Sequence, residues 1–168
     1  MERVVLITGG NRGPREELIE RARQLIGERI GRVVAFSTPM ESEAWGFRAE
    51  GAFLNQVVVA ESELEPLALL KRIHELEREL GRDRELEMEE KRQTGEAYAS
   101  RRMDIDLLYY GDRVIDLPEL QVPHPRIAER SFVLRPLVEV LPDWVDPRHG
   151  KRVEELWGEW IDKNEEKR

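Results

Sequence analysis

The sequence contains no cysteine among its 168 residues. Disulfide bonds and zinc sites with thiolate ligands are therefore excluded, and the absence favours the reducing cytoplasm over an oxidising compartment. No apolar stretch approaches the roughly 20 residues that a membrane helix needs. The N-terminal residues also lack the long apolar region and the small-residue cleavage site of a signal peptide. We therefore expect a cytoplasmic protein that has no membrane partner.

Positive charge is scarce relative to negative charge. Lysine and arginine total 27 residues against 35 aspartates and glutamates, which gives a formal net charge of −8 at pH 7. This balance argues against nucleic acid as a partner, because bulk attraction to a phosphate backbone needs an excess of positive charge. The chain length suits one compact domain, and the hydrophobic content of 40 % is sufficient for a sizeable core.

Aliphatic runs and helical periodicities alternate along the chain. The aliphatic runs predict strands over residues 4–8, 32–38, 53–60 and 103–110. Apolar residues at helical spacing predict helices over residues 14–28, 66–80, 132–140 and 153–161. Residues 39–51 are predicted to form a loop, and the charged residues 82–100 a loop or a solvated helical extension.

The order of these elements predicts the fold class. Strand, helix, strand, strand, helix, strand is the βαββαβ pattern of ferredoxin-like α+β folds. We expect a single antiparallel sheet with helices packed on one face, followed by extra C-terminal helices.

Two carboxylates stand two residues apart on the last predicted core strand, in Asp104-Ile105-Asp106. Side chains two apart on a strand share a face and lie roughly 7 Å apart. Magnesium favours carboxylate and phosphate oxygens, so the pair could hold one ion between its members and a second beside it. Alternating acids also occur on solvated strand faces, and the motif alone leaves both interpretations open.

Other polar residues could bind phosphate. The rigid Pro123-His124-Pro125 segment is followed by Arg130, and these two side chains could contact phosphate oxygens, although His124 could also bond locally. Arginines also cluster in and beside the charged segment, at Arg82, Arg84, Arg92, Arg101 and Arg102. Because glutamates are interspersed among them, a solvated surface is the competing interpretation. The sequence has no Walker-type phosphate loop.

A flat, polar ring could be framed by aromatic and amide side chains. Aromatic rings stack on such a ligand, and an amide can recognise its edge by hydrogen bonding. The candidates are Trp45, Phe53, Asn55 and Phe132. Each of them, taken singly, also fits an ordinary core position.

Six motifs occur in one order along residues 4–141. They are Gly9-Gly10-Asn11, Phe53-Leu54-Asn55-Gln56-Val57, Glu77-Arg78-Glu79-Leu80-Gly81-Arg82, Ser100-Arg101-Arg102-Met103-Asp104-Ile105-Asp106-Leu107-Leu108, Val122-Pro123-His124-Pro125-Arg126 and Arg130-Ser131-Phe132-Val133-Leu134-Arg135-Pro136-Leu137. In this order they resemble the 6-hydroxymethyl-7,8-dihydropterin pyrophosphokinase family of folate biosynthesis. The motif that begins at Ser100 and the stretch from Val122 to Leu137 are together highly specific, whereas the first motif is weak alone.

The resemblance implies a diphosphotransferase with a ferredoxin-like core. Members of the family bind ATP with two Mg²⁺ ions, transfer the β,γ-diphosphate to the hydroxymethyl group of the reduced pterin and release AMP. By this resemblance Asp104 and Asp106 would ligate both metal ions, and Arg82 and Arg101 would join them in catalysis. We expect one pyrophosphokinase domain over residues 1–168, with a core at about 3–141 and a C-terminal helix at about 151–163.

The resemblance also assigns the two substrates. ATP would be bound by Glu77, Arg82, Arg84, Arg101, Ile105, His124 and Arg130. The pterin would be bound by Ser42, Trp45, Phe53, Asn55, Tyr98 and Phe132, with Phe53 and Phe132 stacking on the ring. The chain departs from the family pattern at Gly10, where a serine is usual, and at Glu119, where some members have a basic residue. The charged segment 82–100 is also longer and more acidic than in compact members.

Two other functions remain possible on the sequence. One is a non-catalytic nucleotide-binding module with the same fold, and the other is an ordinary kinase that makes ADP on a different ring substrate. The intact Asp-x-Asp motif argues against the module, and the candidate pterin residues argue against the kinase. We expect a monomer, with Trp157 and Trp160 packed inside the chain.

Overall fold

The computed structural model describes residues 1–11, 13–42, 53–81 and 103–165. The strands are β1 (Glu2–Gly10), β2 (Arg32–Phe36), β3 (Met40–Ser42), β4 (Phe53–Ser62), β5 (Asp104–Tyr110), β6 (Ile115–Asp116), β7 (Gln121–Val122), β8 (Val145–Asp146) and β9 (Lys151–Arg152). The helices are α1 (Arg15–Arg29), α2 (Pro66–Glu79), α3 (Ser131–Val140) and α4 (Val153–Glu165), and a short 3-10 helix covers Ile127–Glu129.

The first two helices begin where the local sequence favours a helix start. In α1 the first turn carries Glu16 and Glu17, whose charges interact favourably with the positive end of the helix dipole. In α2, Pro66 occupies the first turn, where a missing N–H costs nothing. Each helix then buries apolar residues at spacings of three and four, so one face of each packs against the sheet.

The main sheet is antiparallel, with the strand order β2-β4-β1-β5 and β3 paired to the beginning of β4. The two central strands β1 and β4 are aligned from Glu2 opposite Ser62 to Gly10 opposite Leu54. This register places Gly9 between Asn55 on β4 and Asp104 on β5. One end of the sheet therefore brings residues from three strands together.

Both faces of the sheet are covered by helices. Val4 and Leu6 contribute to a core layer with α1 and α2, whereas Val5 and Ile7 contribute to a second layer with α3 and α4. The alternation follows from the two-residue period of a strand. Among the described residues, no helix is long and apolar enough to span a membrane.

A β-bulge in β5 determines which face receives Tyr109. Leu6 of β1 pairs with Leu107, but the next residue, Val5, pairs with Tyr109, so Leu108 is the extra residue. Leu108 and Tyr109 both lie in the second core layer as a result. Tyr109 therefore shares a face with Asp106, which strict alternation would not allow.

The prediction of a single sheet is wrong. Two further antiparallel sheets of two strands each occur in the described part of the chain, one formed by β6 and β7 and one by β8 and β9. Strands of two residues are too short to show a periodic pattern in the sequence.

The predicted loop 39–51 also contains strand β3 at its beginning. The expected placement of helices on one face holds for α1 and α2, but the C-terminal helices cover the opposite face.

Candidate functional site

Two cavities meet at the end of the sheet where β5 begins. The larger has a volume of about 840 Å³ and the smaller about 220 Å³. Four residues line both of them: Ile7, Asp104, Asp106 and Phe132. A ligand in one cavity and a ligand in the other would therefore meet beside the two carboxylates.

The two carboxylates are positioned by the first residues of β5. Asp104 and Asp106 flank Ile105, which is 3 % exposed and faces the first core layer, so the carboxylates lie on the opposite face. The N–H of Ile105 donates a hydrogen bond of 3.1 Å to Glu77 Oε2 on α2. Glu77 is itself only 6 % exposed, so a buried carboxylate fixes the backbone between the two aspartates.

The donor set around Asp104 and Asp106 suits magnesium. Within the described ranges no group of three or more His, Asp or Glu side chains is arranged to hold a metal ion. Magnesium usually takes one or two carboxylates and completes its shell with water and substrate phosphates. Two carboxylates beside a cavity large enough for a polyphosphate are therefore consistent with that ion.

The smaller cavity is lined by side chains from β3, β4 and α3. Asn55 is 7 % exposed, and its Nδ2 donates a hydrogen bond of 2.6 Å to Ser42 Oγ across the β3–β4 pair. Phe53 and Phe132 also line this cavity. The lining thus combines two aromatic rings with an amide whose orientation is fixed by a neighbouring hydroxyl.

Gly9 is required for this arrangement. A Cβ atom on residue 9 would collide with Asn55 Oδ1, at a separation that real Cβ atoms essentially never show. The lack of a side chain therefore lets Asn55 lie against β1 and border the cavity. Gly9 lines the smaller cavity together with its neighbour Thr8, which is fully buried.

His124 and Arg130 form another part of the wall of the larger cavity. His124 Nδ1 accepts a hydrogen bond of 3.1 Å from the Arg126 N–H, so the neutral ring carries its proton on Nε2. Burial lowers the pKa of His124, and the charges of Arg130, Arg126 and Arg148 lower it further. The imidazole is therefore neutral at pH 7 and can donate from Nε2.

The Arg130 guanidinium lies 5.9 Å from the centre of the Phe132 ring. Among residues 1–11, 13–42, 53–81 and 103–165, no carboxylate forms an ion pair with Arg130. A guanidinium at the edge of a cavity is well suited to an anionic ligand.

The structure brings together most of the residues predicted for the site. The larger cavity contains the predicted nucleotide residues Glu77, Ile105, His124 and Arg130, and the smaller contains the predicted pterin residues Ser42, Phe53, Asn55 and Phe132. Other predictions lie outside the described residues, namely Trp45, Arg82, Arg84, Arg92, Tyr98 and Arg101. Glu119, noted as a departure from the family pattern, lines the larger cavity.

Sequence reasoning missed several residues that line the larger cavity. His74 lies there with Leu70 and Glu77, all on one face of α2. Their spacing of four and three residues would have revealed this shared face once Glu77 was assigned to the site. Leu117, Pro118, Leu120 and Gln121 also contribute, and no sequence pattern distinguishes these residues from an ordinary loop.

Comparison with known proteins identifies the family. The family model described as 7,8-dihydro-6-hydroxymethylpterin-pyrophosphokinase (HPPK) matches residues 5–142, which is well over half of the chain. The chain belongs to the HPPK family. This agrees with the resemblance drawn from the sequence motifs.

Individual HPPK relatives cover nearly the whole chain. A protein of Porphyromonas gingivalis named 2-amino-4-hydroxy-6-hydroxymethyldihydropteridine pyrophosphokinase is 38 % identical over 86 % of this chain and 93 % of its own length. A protein of the same name from Aquifex aeolicus is 36 % identical over 93 % of this chain and 91 % of its own length.

Solved structures show the same fold at low sequence identity. The HPPK-DHPS protein of Plasmodium falciparum, crystallised with pteroate, is 13 % identical and superposes with a TM-score of 0.74 over 98 % of this chain. This chain covers only 45 % of that protein. The crystal structure of an HPPK-DHPS in complex with substrates gives a TM-score of 0.71 at 13 % identity, with 44 % of that chain covered. Both α+β structures match the mixed helices and antiparallel sheet described above.

Proposed function

We propose that this HPPK family member transfers the β,γ-diphosphate of ATP to the hydroxymethyl group of 6-hydroxymethyl-7,8-dihydropterin and releases AMP, a step of folate biosynthesis. The observation that carries the proposal is the pair of cavities that share Asp104 and Asp106. The names of the relatives support the substrate and the reaction class. A reaction between two substrates needs such a junction, because the reacting atoms must be held close together.

The larger cavity is the proposed ATP site. Its volume of about 840 Å³ is close to four times that of the smaller cavity, which suits the larger substrate. His124 and Arg130 would contact the phosphates, the former as a neutral donor from Nε2 and the latter as a guanidinium. Glu77 and Ile105 would line the nucleotide site near Asp104.

The smaller cavity is the proposed pterin site. Its volume of about 220 Å³ suits a bicyclic ring, and Phe53 and Phe132 would stack on the two faces of that ring. Asn55, held by Ser42, would hydrogen-bond to the ring edge. Trp45 and Tyr98 are proposed to complete the site, although both lie outside the described residues.

Asp104 and Asp106 are the proposed ligands of two Mg²⁺ ions. When bound, magnesium would neutralise part of the charge on the phosphates during transfer. The pterin hydroxyl oxygen releases its proton and forms a bond to the β-phosphorus. The bond from that phosphorus to the bridging oxygen of the α-phosphate breaks, so AMP leaves with that oxygen and the electron pair of the broken bond. Arg82, Arg84 and Arg101 are proposed to add positive charge near the phosphates, and Arg82 and Arg101 to take part in catalysis.

We also infer a ferredoxin-like core within one pyrophosphokinase domain that covers residues 1–168. The order β2-β4-β1-β5 and the two helices on one face of that sheet support this inference. A monomer is proposed because Trp157 and Trp160, stacked with centroids 5.5 Å apart, pack against the second core layer of their own chain. A cytoplasmic location is proposed from the absence of cysteine.

The nucleotide product tests the proposal. The protein is incubated with ATP, Mg²⁺ and 6-hydroxymethyl-7,8-dihydropterin, and the nucleotides are separated by ion-exchange chromatography. We expect AMP to form in equal amount to the pterin diphosphate. ADP instead of AMP would indicate an ordinary kinase, and the absence of any product would indicate a binding module.

A further inference from the structure

The β8–β9 hairpin reaches the wall of the larger cavity through Arg148. Arg148 Nε donates a hydrogen bond of 2.8 Å to the carbonyl oxygen of Pro123, the residue immediately before His124. The same guanidinium donates from Nη2 to Asp116 Oδ1 at 2.8 Å and from Nη1 to Asp116 Oδ2 at 3.4 Å. Arg148 therefore connects the backbone beside His124 to strand β6.

Arg148 is itself held in place by a buried carboxylate. Asp146 is fully buried, and its Oδ1 accepts hydrogen bonds from the N–H groups of Arg148, at 2.8 Å, and His149, at 3.0 Å. Its Oδ2 accepts a hydrogen bond of 2.7 Å from the Tyr109 hydroxyl. Tyr109 lies on β5, the strand that begins with Asp104, and the bulge at Leu108 turns it toward Asp146.

These contacts link two parts of the larger cavity. One part is the beginning of β5 with its two carboxylates, and the other is the segment that carries His124. Arg148 has a side-chain exposure of 23 %, so its hydrogen bond to Pro123 is partly shielded from water. Because the Arg148 guanidinium lies near the imidazole, its charge also contributes to the lowered pKa of His124.

We propose that Arg148 is a positioning residue for His124, which it orients toward the ATP phosphates by holding the Pro123 carbonyl. This proposal rests on the proposed function, because it assumes that His124 contacts ATP. Arg148 does not line either cavity, so it acts through the backbone of residues 123 and 124. The smaller cavity contains none of these residues, and binding of the pterin should not depend on Arg148.

A double-mutant cycle with His124 tests the proposal. The dissociation constant of a non-hydrolysable ATP analogue with Mg²⁺ is measured for the wild type, Arg148→Ala, His124→Ala and the double variant. We expect Arg148→Ala to weaken binding roughly tenfold, as for the loss of a charge-assisted hydrogen bond. In the His124→Ala background the same substitution should have little further effect, because nothing remains to be oriented.

Steady-state kinetics and a matched arginine supply the controls. Arg148→Ala should raise KM for ATP and leave KM for the pterin unchanged. Arg152 belongs to the same hairpin and pairs with Asp143, Glu154 and Glu155, but not with residues 123 or 124. Arg152→Ala should therefore bind the ATP analogue as the wild type does. If Arg148→Ala fails to fold, Arg148→Lys takes its place in the cycle, since it keeps the charge but cannot contact both Pro123 and Asp116 as the guanidinium does.

Three results would overturn the proposal. The first is wild-type affinity for the ATP analogue in Arg148→Ala. The second is an equal loss of affinity caused by Arg148→Ala whether or not His124 is present. The third is wild-type affinity in His124→Ala. The proposed function fails separately, when the wild-type protein makes no AMP from ATP and the pterin. If the wild type makes AMP but the two substitutions have additive effects on affinity for the ATP analogue, the proposed role of Arg148 is refuted and the proposed function is not.

Discussion

The side-chain oxygen of Asn55 occupies the space that a Cβ atom on residue 9 would need, so Gly9 and Asn55 fit together only because residue 9 is a glycine. The two residues are partners in the register between β1 and β4. Asn55 is also bonded to Ser42 Oγ on the other side, and it borders the smaller cavity. The amide is thus held from two sides in the position proposed to recognise the pterin.

Gly9→Ala is expected to weaken pterin binding about tenfold, because the added Cβ displaces Asn55 and breaks its hydrogen bond to Ser42. The measurement is a calorimetric titration with the pterin in the presence of a non-hydrolysable ATP analogue. Affinity for the ATP analogue alone should not change. Gly158→Ala is the control, since a Cβ at that position meets nothing within 4 Å. Wild-type pterin affinity in Gly9→Ala would contradict the proposed role of Asn55.

Asp104→Asn and Asp106→Asn should each lower kcat by at least about 100-fold, because each removes a proposed carboxylate ligand of the Mg²⁺ ions that would neutralise charge on the transferring phosphates. The midpoint of thermal unfolding should not fall, since removing one of two neighbouring negative charges relieves repulsion between them. Asp112→Asn, in the exposed turn that follows β5, is the matched control and should retain wild-type activity. Either site variant with more than a tenth of the wild-type rate would contradict the assignment of the metal ligands.

The pH dependence of folding should reveal the neutral state of His124. Because its pKa in the folded protein is lowered, the unfolded chain binds a proton first as the pH falls below about 6.5. The contribution of this residue to stability is therefore complete above that pH and declines as the pH falls toward the folded-state pKa. Protonation also turns Nδ1 from an acceptor into a donor, which opposes its hydrogen bond from the Arg126 N–H.

Urea unfolding of the wild type and His124→Gln between pH 7.5 and pH 5 measures this effect, with the difference between the two proteins isolating His124 from other groups. We expect the wild type to lose more stability than the variant as the pH falls. His74→Gln is the control, because its side chain also lines the larger cavity. Parallel stability curves for the wild type and His124→Gln would show that the histidine is not held in its neutral form.

The sequence was sufficient to predict the main elements and the central carboxylate pair, because both depend on local periodicity. Asp104 and Asp106 share a face for the same reason that Ile105 is buried, and Pro66 marks the start of α2. Most predicted strands and helices of the described chain agree with the structure to within a few residues.

Features that depend on distant pairing could not be predicted from local patterns. The contact of Gly9 with Asn55 is fixed by the register of two strands, which no property of either segment specifies alone. The bulge at Leu108 turns Tyr109 to an unexpected face, although nothing in the run Asp104–Tyr110 marks an extra residue. Arg148 reaches Pro123 because a short hairpin, without a periodic pattern of its own, packs beside that segment.

The consequence of the bulge can be tested by comparing two neighbouring tyrosines. Tyr109 donates its hydroxyl to the fully buried Asp146 at 2.7 Å, whereas Tyr110 donates to the Leu64 carbonyl at 2.6 Å in a partly buried position. Burial and the neighbouring Asp146 raise the pKa of Tyr109, so its hydroxyl stays protonated and donates throughout the neutral range. Tyr109→Phe removes a donor from a buried carboxylate, while Tyr110→Phe leaves only a carbonyl that water can reach more easily.

Tyr109→Phe should therefore lower the free energy of unfolding by about 1–3 kcal/mol, and Tyr110→Phe by about 1 kcal/mol or less, measured by urea denaturation at pH 7. Both variants keep the aromatic ring, so the comparison isolates the hydroxyl groups. In Tyr109→Phe the tilted contact of the ring with Trp144, at 5.8 Å between centroids, is preserved. Because Asp146 also binds the Arg148 N–H, Tyr109→Phe should weaken binding of the ATP analogue as well, whereas Tyr110→Phe should not. Equal losses of stability in the two variants would contradict this prediction. They would mean that the hydrogen bond from Tyr109 to Asp146 contributes no more than an ordinary one, and that another donor binds Asp146 in Tyr109→Phe.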